Sequence, residues 1–270
     1  MRIAFLGGGN MAGALIGGLV AKGYAARDIS VIEVSPSARE KLAAQHGVRA
    51  SSAPDTATLE AHALVLAVKP QDMKAALSSL GASVSGKLVI SIAAGVRIDA
   101  LSRWLGGHQK LVRCMPNTPA LVGAGITALY AAPEVSLNER GEAEAILRAV
   151  GEVVWVDEER LLDPVTAVSA SGPAYVFWFI EQLASSGEKL GLPREVARKL
   201  ALHTVLGAGK LAAASNEPPE TLRRNVTSKG GTTEAALKVF DEERMAERFA
   251  RALEAASRRG AQLGDELGKD

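Results

Sequence analysis

Residues 2–12 read Arg2-Ile3-Ala4-Phe5-Leu6-Gly7-Gly8-Gly9-Asn10-Met11-Ala12, an apolar run that breaks into glycines and then into a helical pattern reaching Lys22. This stretch constrains the fold more than any other. It fits G-x-G-x-x-[G/A] directly after a strand and at the opening of a helix. Gly7 permits the tight turn, Gly9 lets backbone approach a pyrophosphate, and Ala12 keeps the helix close to the sheet. Free N–H groups and the helix dipole favour an anion at such a helix start. Gly7, Gly8, Gly9, Asn10, Met11 and Ala12 are therefore candidate dinucleotide-binding residues.

The stretch opens an alternation of strands and helices. Strands are expected at residues 2–6, 29–34, 63–68, 88–92, 110–115 and 125–130, with helices at 11–22, 37–46, 71–79 and 98–105. Continuous apolar runs, such as Ala63 to Val68, indicate strands covered on both faces. A helix at 138–150 and a short strand at 152–156 follow. Beyond the charged stretch at 157–160 the pattern turns helical, at 163–186, 193–214, 218–226 and 232–266. Pro193, Pro218 and Pro219 fit helix starts. The expected architecture is α/β: a Rossmann-like, doubly wound sheet over residues 1–160, then an all-helical domain over 161–270. Apolar residues are spread around much of the second and fourth late helices, not confined to one narrow stripe, and a partner subunit is one way to bury them.

Composition narrows the chemistry. The chain has 270 residues, 47% hydrophobic and 23% charged, with a net charge of +1. That charge gives no electrostatic reason to bind nucleic acid or an anionic membrane. The single Cys114 excludes an intrachain disulfide framework and a cysteine-rich metal site, and fits a reducing cytoplasm. No His, Cys and carboxylate cluster shows metal-ligand spacing. The first residues could pass for a signal peptide, but Asn10 and the glycine run interrupt the apolar segment. No apolar stretch approaches the ~20 residues of a membrane span.

Several strand ends add candidate cofactor residues. Glu33 closes the second strand, where an acid can bind the ribose 2′-OH of NAD and repel the 2′-phosphate of NADP. Arg39 stands nearby and could offset it. Val68, Lys69 and Pro70, then Ala93 and Ala94, then Asn117 end three consecutive strands, on the edge that faces the ligand crevice of such a sheet. A second glycine-hydroxyl loop spans residues 226–233, Val226-Thr227-Ser228-Lys229-Gly230-Gly231-Thr232-Thr233, and again feeds a helix. Its amides suit a small carboxylate. His46, His62, His108 and His203 are scattered and read as structural or exposed, and Cys114 reads as a packing residue.

With these residues in view, the chain resembles the pyrroline-5-carboxylate reductase family nearly end to end. The resemblance rests on residues 5–12, 67–71, 112–119, 169–175 (Ser169-Ala170-Ser171-Gly172-Pro173-Ala174-Tyr175) and 226–233. The first is shared with many dehydrogenases, and the last two together are specific. The resemblance implies reduction of 1-pyrroline-5-carboxylate to L-proline with NAD(P)H. It also implies a helical domain that interlocks with a second subunit, in dimers often assembled into decamers. Residue by residue, Ser228 and the backbone of Gly230, Gly231, Thr232 and Thr233 match the loop that holds the substrate carboxylate. The Thr233 hydroxyl matches the group beside the ring nitrogen, which makes it the candidate catalytic residue. Ser171 and Tyr175 fall on a helix expected near the nicotinamide or the subunit interface.

Two departures stand out. Lys229 replaces the Pro common in this loop, and Ala170 replaces a common Gly. At the second strand some members carry an Asn-Arg-like pair suited to a 2′-phosphate, whereas Glu33 and Val34 stand here and lean toward NADH. A 3-hydroxyacid or 6-phosphogluconate-type dehydrogenase would need a lysine base in its helical domain, and no such motif is present. A non-catalytic dinucleotide sensor would keep residues 7–12 but need not keep the 226–233 loop.

Overall fold

The computed structural model describes residues 1–80 and 84–269. The chain divides into two compact units, one of Met1–Ser171 with Ala255–Asp270, the other of Gly172–Glu254.

The first unit alternates β1 (Ile3–Leu6), α1 (Asn10–Ala21), β2 (Ile29–Ile32), α2 (Pro36–His46), β3 (Arg49–Ser51), α3 (Thr56–Leu59), β4 (Ala63–Leu66), α4 (Met73–Ser78), β5 (Leu88–Ser91) and α5 (Ile98–Trp104). It continues through β6 (Leu111–Met115), β7 (Gly125–Ala131), α6 (Leu137–Leu147), β8 (Gly151–Trp155) and α7 (Leu162–Val165), then a π-helical turn at Thr166–Ala170. The eight strands lie in the order β3-β2-β1-β4-β5-β6-β7-β8. The first six in that order run parallel, and the order reverses between β1 and β4. β7 is antiparallel to β6, and β8 runs parallel to β7. The nine residues from 116 to 124 between β6 and β7 are too few for a covered crossover, which takes about a dozen or more, so the chain returns antiparallel.

Burial explains the strands. All four residues of β1, β2, β4 and β5 are buried, as a sheet covered on both faces requires. Phe5, Leu15, Ile16, Leu64, Leu66, Met73 and Ile90 form the centre of the core. Local signals fix the helix starts: Ser35 caps α2, and Ser136 with Glu139 makes a reciprocal capping box on α6. Arg113, buried on β6, pairs with Glu159 at 3.0 Å, and the same carboxylate oxygen accepts the Ile98 N–H at 2.8 Å where α5 begins.

The second unit holds α8 (Gly172–Lys189), α9 (Arg194–Ala214), α10 (Pro219–Asn225), α11 (Thr232–Glu242) and the first part of α12 (Met245–Leu267). The rest of α12 belongs to the first unit, where Asp265 pairs with Arg97 at 2.9 Å and the Gly268 carbonyl accepts from Arg103 at 2.7 Å. Small residues let α8 and α9 approach. Among the described residues of the second unit only Ala184, Ala197 and Ala201 are buried, while Phe177, Trp178, Leu202, Phe240 and Phe249 remain exposed.

Several expectations change. β3 and α3 were not expected from the pattern; β3 is a three-residue edge strand without an apolar run. The 163–186 stretch is broken by the π turn. The expected helix at 232–266 is two helices, parted at Arg244, whose φ of +54° is left-handed backbone. Good helix formers stand on both sides, and no Gly or Pro marks the break. α12 gathers Met245, Phe249, Ala252 and Leu253 at three- and four-residue spacing, one stripe and not an all-round distribution. The compact units part at Ser171 and Gly172, and the chain's end returns to the first. This differs from the division after residue 160 read from composition.

Candidate active site

The glycine loop sits where β1 ends beside β4, at the reversal of strand order. Such a switch point opens a crevice beyond the carboxyl ends of the strands. Gly7 has φ of +98°, and a Cβ there would lie 2.8 Å from the Ala67 carbonyl oxygen, so the turn needs glycine. Its N–H donates to Ile32 O at 2.8 Å, which ties the loop to β2. A Cβ on Gly9 would meet nothing within 4 Å, which leaves the backbone open to a ligand. Gly9 caps α1 without a side-chain hydrogen bond, so the helix presents bare amides at Asn10 and Met11, while Ala12 is buried against the sheet. These residues fit a dinucleotide pyrophosphate.

Glu33 is half-buried at the end of β2. One carboxylate oxygen accepts the Gly8 N–H at 2.8 Å and the other the Ser35 N–H at 2.8 Å. Arg39 donates to the carbonyls of Glu33 at 2.7 Å and Val34 at 2.9 Å, so its guanidinium is held at the same strand end. Val68, Lys69 and Pro70 follow β4, with Lys69 exposed and Pro70 opening a short 3-10 turn. Ala93 and Ala94 follow β5. Asn117 follows β6, and its side chain has partners within the unit: Oδ1 accepts from Ile126 N at 2.9 Å, and Nδ2 donates to Ser169 O at 3.2 Å. The parallel strands thus bring all the expected cofactor residues to one edge of the sheet. The two internal bonds of Asn117, which link β6 to β7 and to the π turn, were not legible in the sequence.

The 226–233 loop lies in the second unit, between α10 and α11. The Thr227 hydroxyl donates to Arg223 O at 2.7 Å, which closes α10, and Gly231 N donates to Ser228 O at 3.0 Å. Gly230 takes φ of +73°, which favours glycine, and a Cβ on Gly231 would crowd Ser228 Oγ and stand 3.0 Å from the Ser228 carbonyl oxygen. Gly231 caps the 11-residue α11 without a side-chain bond. Ser228, Gly230, Gly231, Thr232 and Thr233 are therefore brought together around one helix start. The sequence reading missed Glu234, whose Oε2 accepts the Gly230 N–H at 2.7 Å. An acid three residues after the helix cap is the signal that points to it.

The remaining candidates are inert or structural. Burial pushes the Cys114 thiol far above its ordinary range, only partly offset by the charge of Arg113, so it is no nucleophile. His62 accepts from the Arg2 N–H, and His108 contacts Lys87 O. Tyr175 packs edge-on against Phe249 within the second unit, 6.1 Å between ring centres. Among the described residues no His, Cys and carboxylate group could hold a metal, and no helix is long and apolar enough to cross a membrane.

A switch-point glycine loop joined in sequence to a helical domain defines a nicotinamide-dependent oxidoreductase of the Rossmann class. Comparison with known proteins agrees and narrows it. Residues 2–95 match a family described as NADP oxidoreductase coenzyme F420-dependent, and residues 159–263 match pyrroline-5-carboxylate reductase dimerisation. The chain is 45% identical to a pyrroline-5-carboxylate reductase of Pseudomonas aeruginosa, over 99% of this chain and 98% of that one. It is 43% identical to the Synechocystis enzyme, over 98% of each. A solved pyrroline-5-carboxylate reductase from Coxiella burnetii superposes with a TM-score of 0.93 at 41% identity, covering 97% and 98% of the two chains. That of Plasmodium falciparum, solved with NADP bound, gives 0.84 at 29% identity, covering 98% of each. The chain belongs to the pyrroline-5-carboxylate reductase family. It is an NAD(P)H-dependent enzyme that reduces 1-pyrroline-5-carboxylate to L-proline, the last step of proline biosynthesis, and its helical part is the family's dimerisation domain.

Proposed function

We propose that residues 1–160 hold NAD(P)H through Gly7–Ala12, Glu33, Val68, Lys69, Pro70, Ala93, Ala94 and Asn117. In the same reading residues 161–270 hold the imine acid and the second subunit. The observation that carries it is the loop before α11, where Gly230, Gly231 and Ser228 surround a helix start with no side-chain cap at Gly231.

The reaction follows from these parts. When bound, NAD(P)H supplies the hydride that reduces the C=N bond. Ser228 and the amides of Gly230, Gly231, Thr232 and Thr233 hold the substrate carboxylate, and so fix where the ring lies. The Thr233 hydroxyl hydrogen-bonds the ring nitrogen as it changes from iminium to amine. No side-chain general acid is assigned, and the nitrogen exchanges protons with solvent. Glu33, as a partner for the ribose 2′-OH, leans the enzyme toward NADH.

The same reading extends to assembly and place. Two subunits join through the helical domain, and dimers gather into decamers, as the family resemblance implies. With one buried thiol and no disulfide framework, the enzyme is assigned to the cytoplasm. Purified protein should oxidise NADH or NADPH only when pyrroline-5-carboxylate is present, with L-proline formed in equal amount. Initial rates with each cofactor give the preference, and sedimentation gives the assembly. Absence of turnover with both cofactors would overturn the reading.

A further inference from the structure

We infer that Glu234 is a built-in competitor for the substrate carboxylate and sets the apparent affinity for the imine acid. The Gly230 N–H donates to Glu234 Oε2 at 2.7 Å. This inference rests on the reading of the 226–233 loop as the carboxylate site. On that reading the loop already accepts a carboxylate, one supplied by its own chain. The Glu234 side chain is exposed, so it can leave the amide for water. An incoming substrate must displace it from Gly230 or bind beside a like charge, and either course weakens binding of an acid. Glu234 lies at the third position of α11, so the ordinary alternative is a cap that supports the helix and the loop. The two roles have opposite signs. Loss of a supporting cap would loosen the loop and raise KM, whereas loss of a competitor lowers it.

The test uses the full-length enzyme with Glu234→Gln and Glu234→Ala. The expected result is a fall of about three- to tenfold in KM for pyrroline-5-carboxylate and in the inhibition constant of the product L-proline, the net worth of one ordinary, solvent-exposed hydrogen bond lost to a rival. Values of kcat and of KM for NADH should stay level. An imine KM that is unchanged or higher in both variants overturns the inference. Ser228→Ala, which removes a side-chain donor proposed for the carboxylate, serves as the control for the underlying site. If it raises the imine KM while neither Glu234 variant lowers it, only the competitor role fails. If Ser228→Ala also leaves imine kinetics untouched, the loop is not the carboxylate site and both readings fall.

Discussion

Gly8, in the loop after β1, gives its N–H to the carboxylate of Glu33 at the end of β2, 2.8 Å away. The second oxygen of Glu33 holds Ser35 N–H at the same distance, so one side chain fastens the glycine loop after β1 and shapes the turn into α2. Removal of the carboxylate should therefore act twice. Loss of the fastening weakens NADH and NADPH alike, while loss of a ribose partner weakens NADH alone. Glu33→Ala is expected to raise KM for NADH by about tenfold and KM for NADPH by less, as loss of charged hydrogen bonds predicts. Paired initial rates with the two cofactors measure the split. Equal changes would restrict Glu33 to holding the loop.

Thr233 stands in the first turn of α11, beside the two glycines of the 226–233 loop. Thr233→Ala removes the hydroxyl and the γ-methyl and leaves every backbone amide in place. The expected outcome is a drop of about tenfold or more in kcat/KM for the imine with KM for NADH nearly unchanged, the size of one hydrogen bond that strengthens as the nitrogen changes character. Steady-state kinetics with each substrate varied in turn separates the two. Unaltered kcat/KM would remove Thr233 from the reaction.

The glycine loops were legible because their residues are neighbours in sequence and each must take a conformation or a close approach that only Gly allows. Gly7 with φ of +98° and Gly230 with φ of +73° are such positions. The covered strands were legible for a similar reason, since β1, β4 and β5 are unbroken apolar runs. What stayed hidden depends on distant partners. Nothing near Asn117 in sequence announces that its amide will join Ile126 to Ser169. β3 is fixed by pairing with β2, not by its own residues Arg49, Ala50 and Ser51. The break at Arg244 follows a run of good helix formers, so composition argued for continuity where the backbone turns.

Acid should weaken the first unit through Asp55. Its Oδ1 accepts the Thr58 N–H at 3.1 Å as the cap of α3, and its Oδ2 pairs with Arg49 at 2.7 Å. Burial alone would raise the carboxyl pKa, but the Thr58 amide and the charge and hydrogen bond of Arg49 outweigh it and hold the group below its ordinary value. The folded state thus favours the ionised form. Its contribution is present above the ordinary carboxyl pKa of about 4 and is lost as pH falls through the lower folded value. Arg49 is largely exposed, so most of the effect is the cap. Asp55→Ala is expected to cost about 1 kcal/mol at neutral pH. Thermal melts of both proteins should converge as pH falls through the lowered folded value of Asp55. A gap that persists unchanged in acid would show that the charge of Asp55 contributes nothing.

The helical unit cannot bury its own apolar surface. Phe177 is 59% and Trp178 55% exposed on α8, while the buried positions among its described residues are three alanines. Exposed aromatic patches of this kind mark association surfaces, and residues 159–263 match the family's dimerisation model, so a second copy is the occupant. Trp and other large aromatics carry a disproportionate share of interface energy, often about 2 kcal/mol or more each. Trp178→Glu places a charge on that surface and loses the ring. The variant should keep its helical circular dichroism as a monomer, because Trp178 is more than half exposed while α8 and α9 approach closely at Gly187 and Ala197. Sedimentation velocity at micromolar concentration should shift from dimer or larger toward monomer, with reductase activity falling in step and partly returning at high protein concentration. A variant that stays fully assembled and active would exclude this face of α8 from the subunit interface.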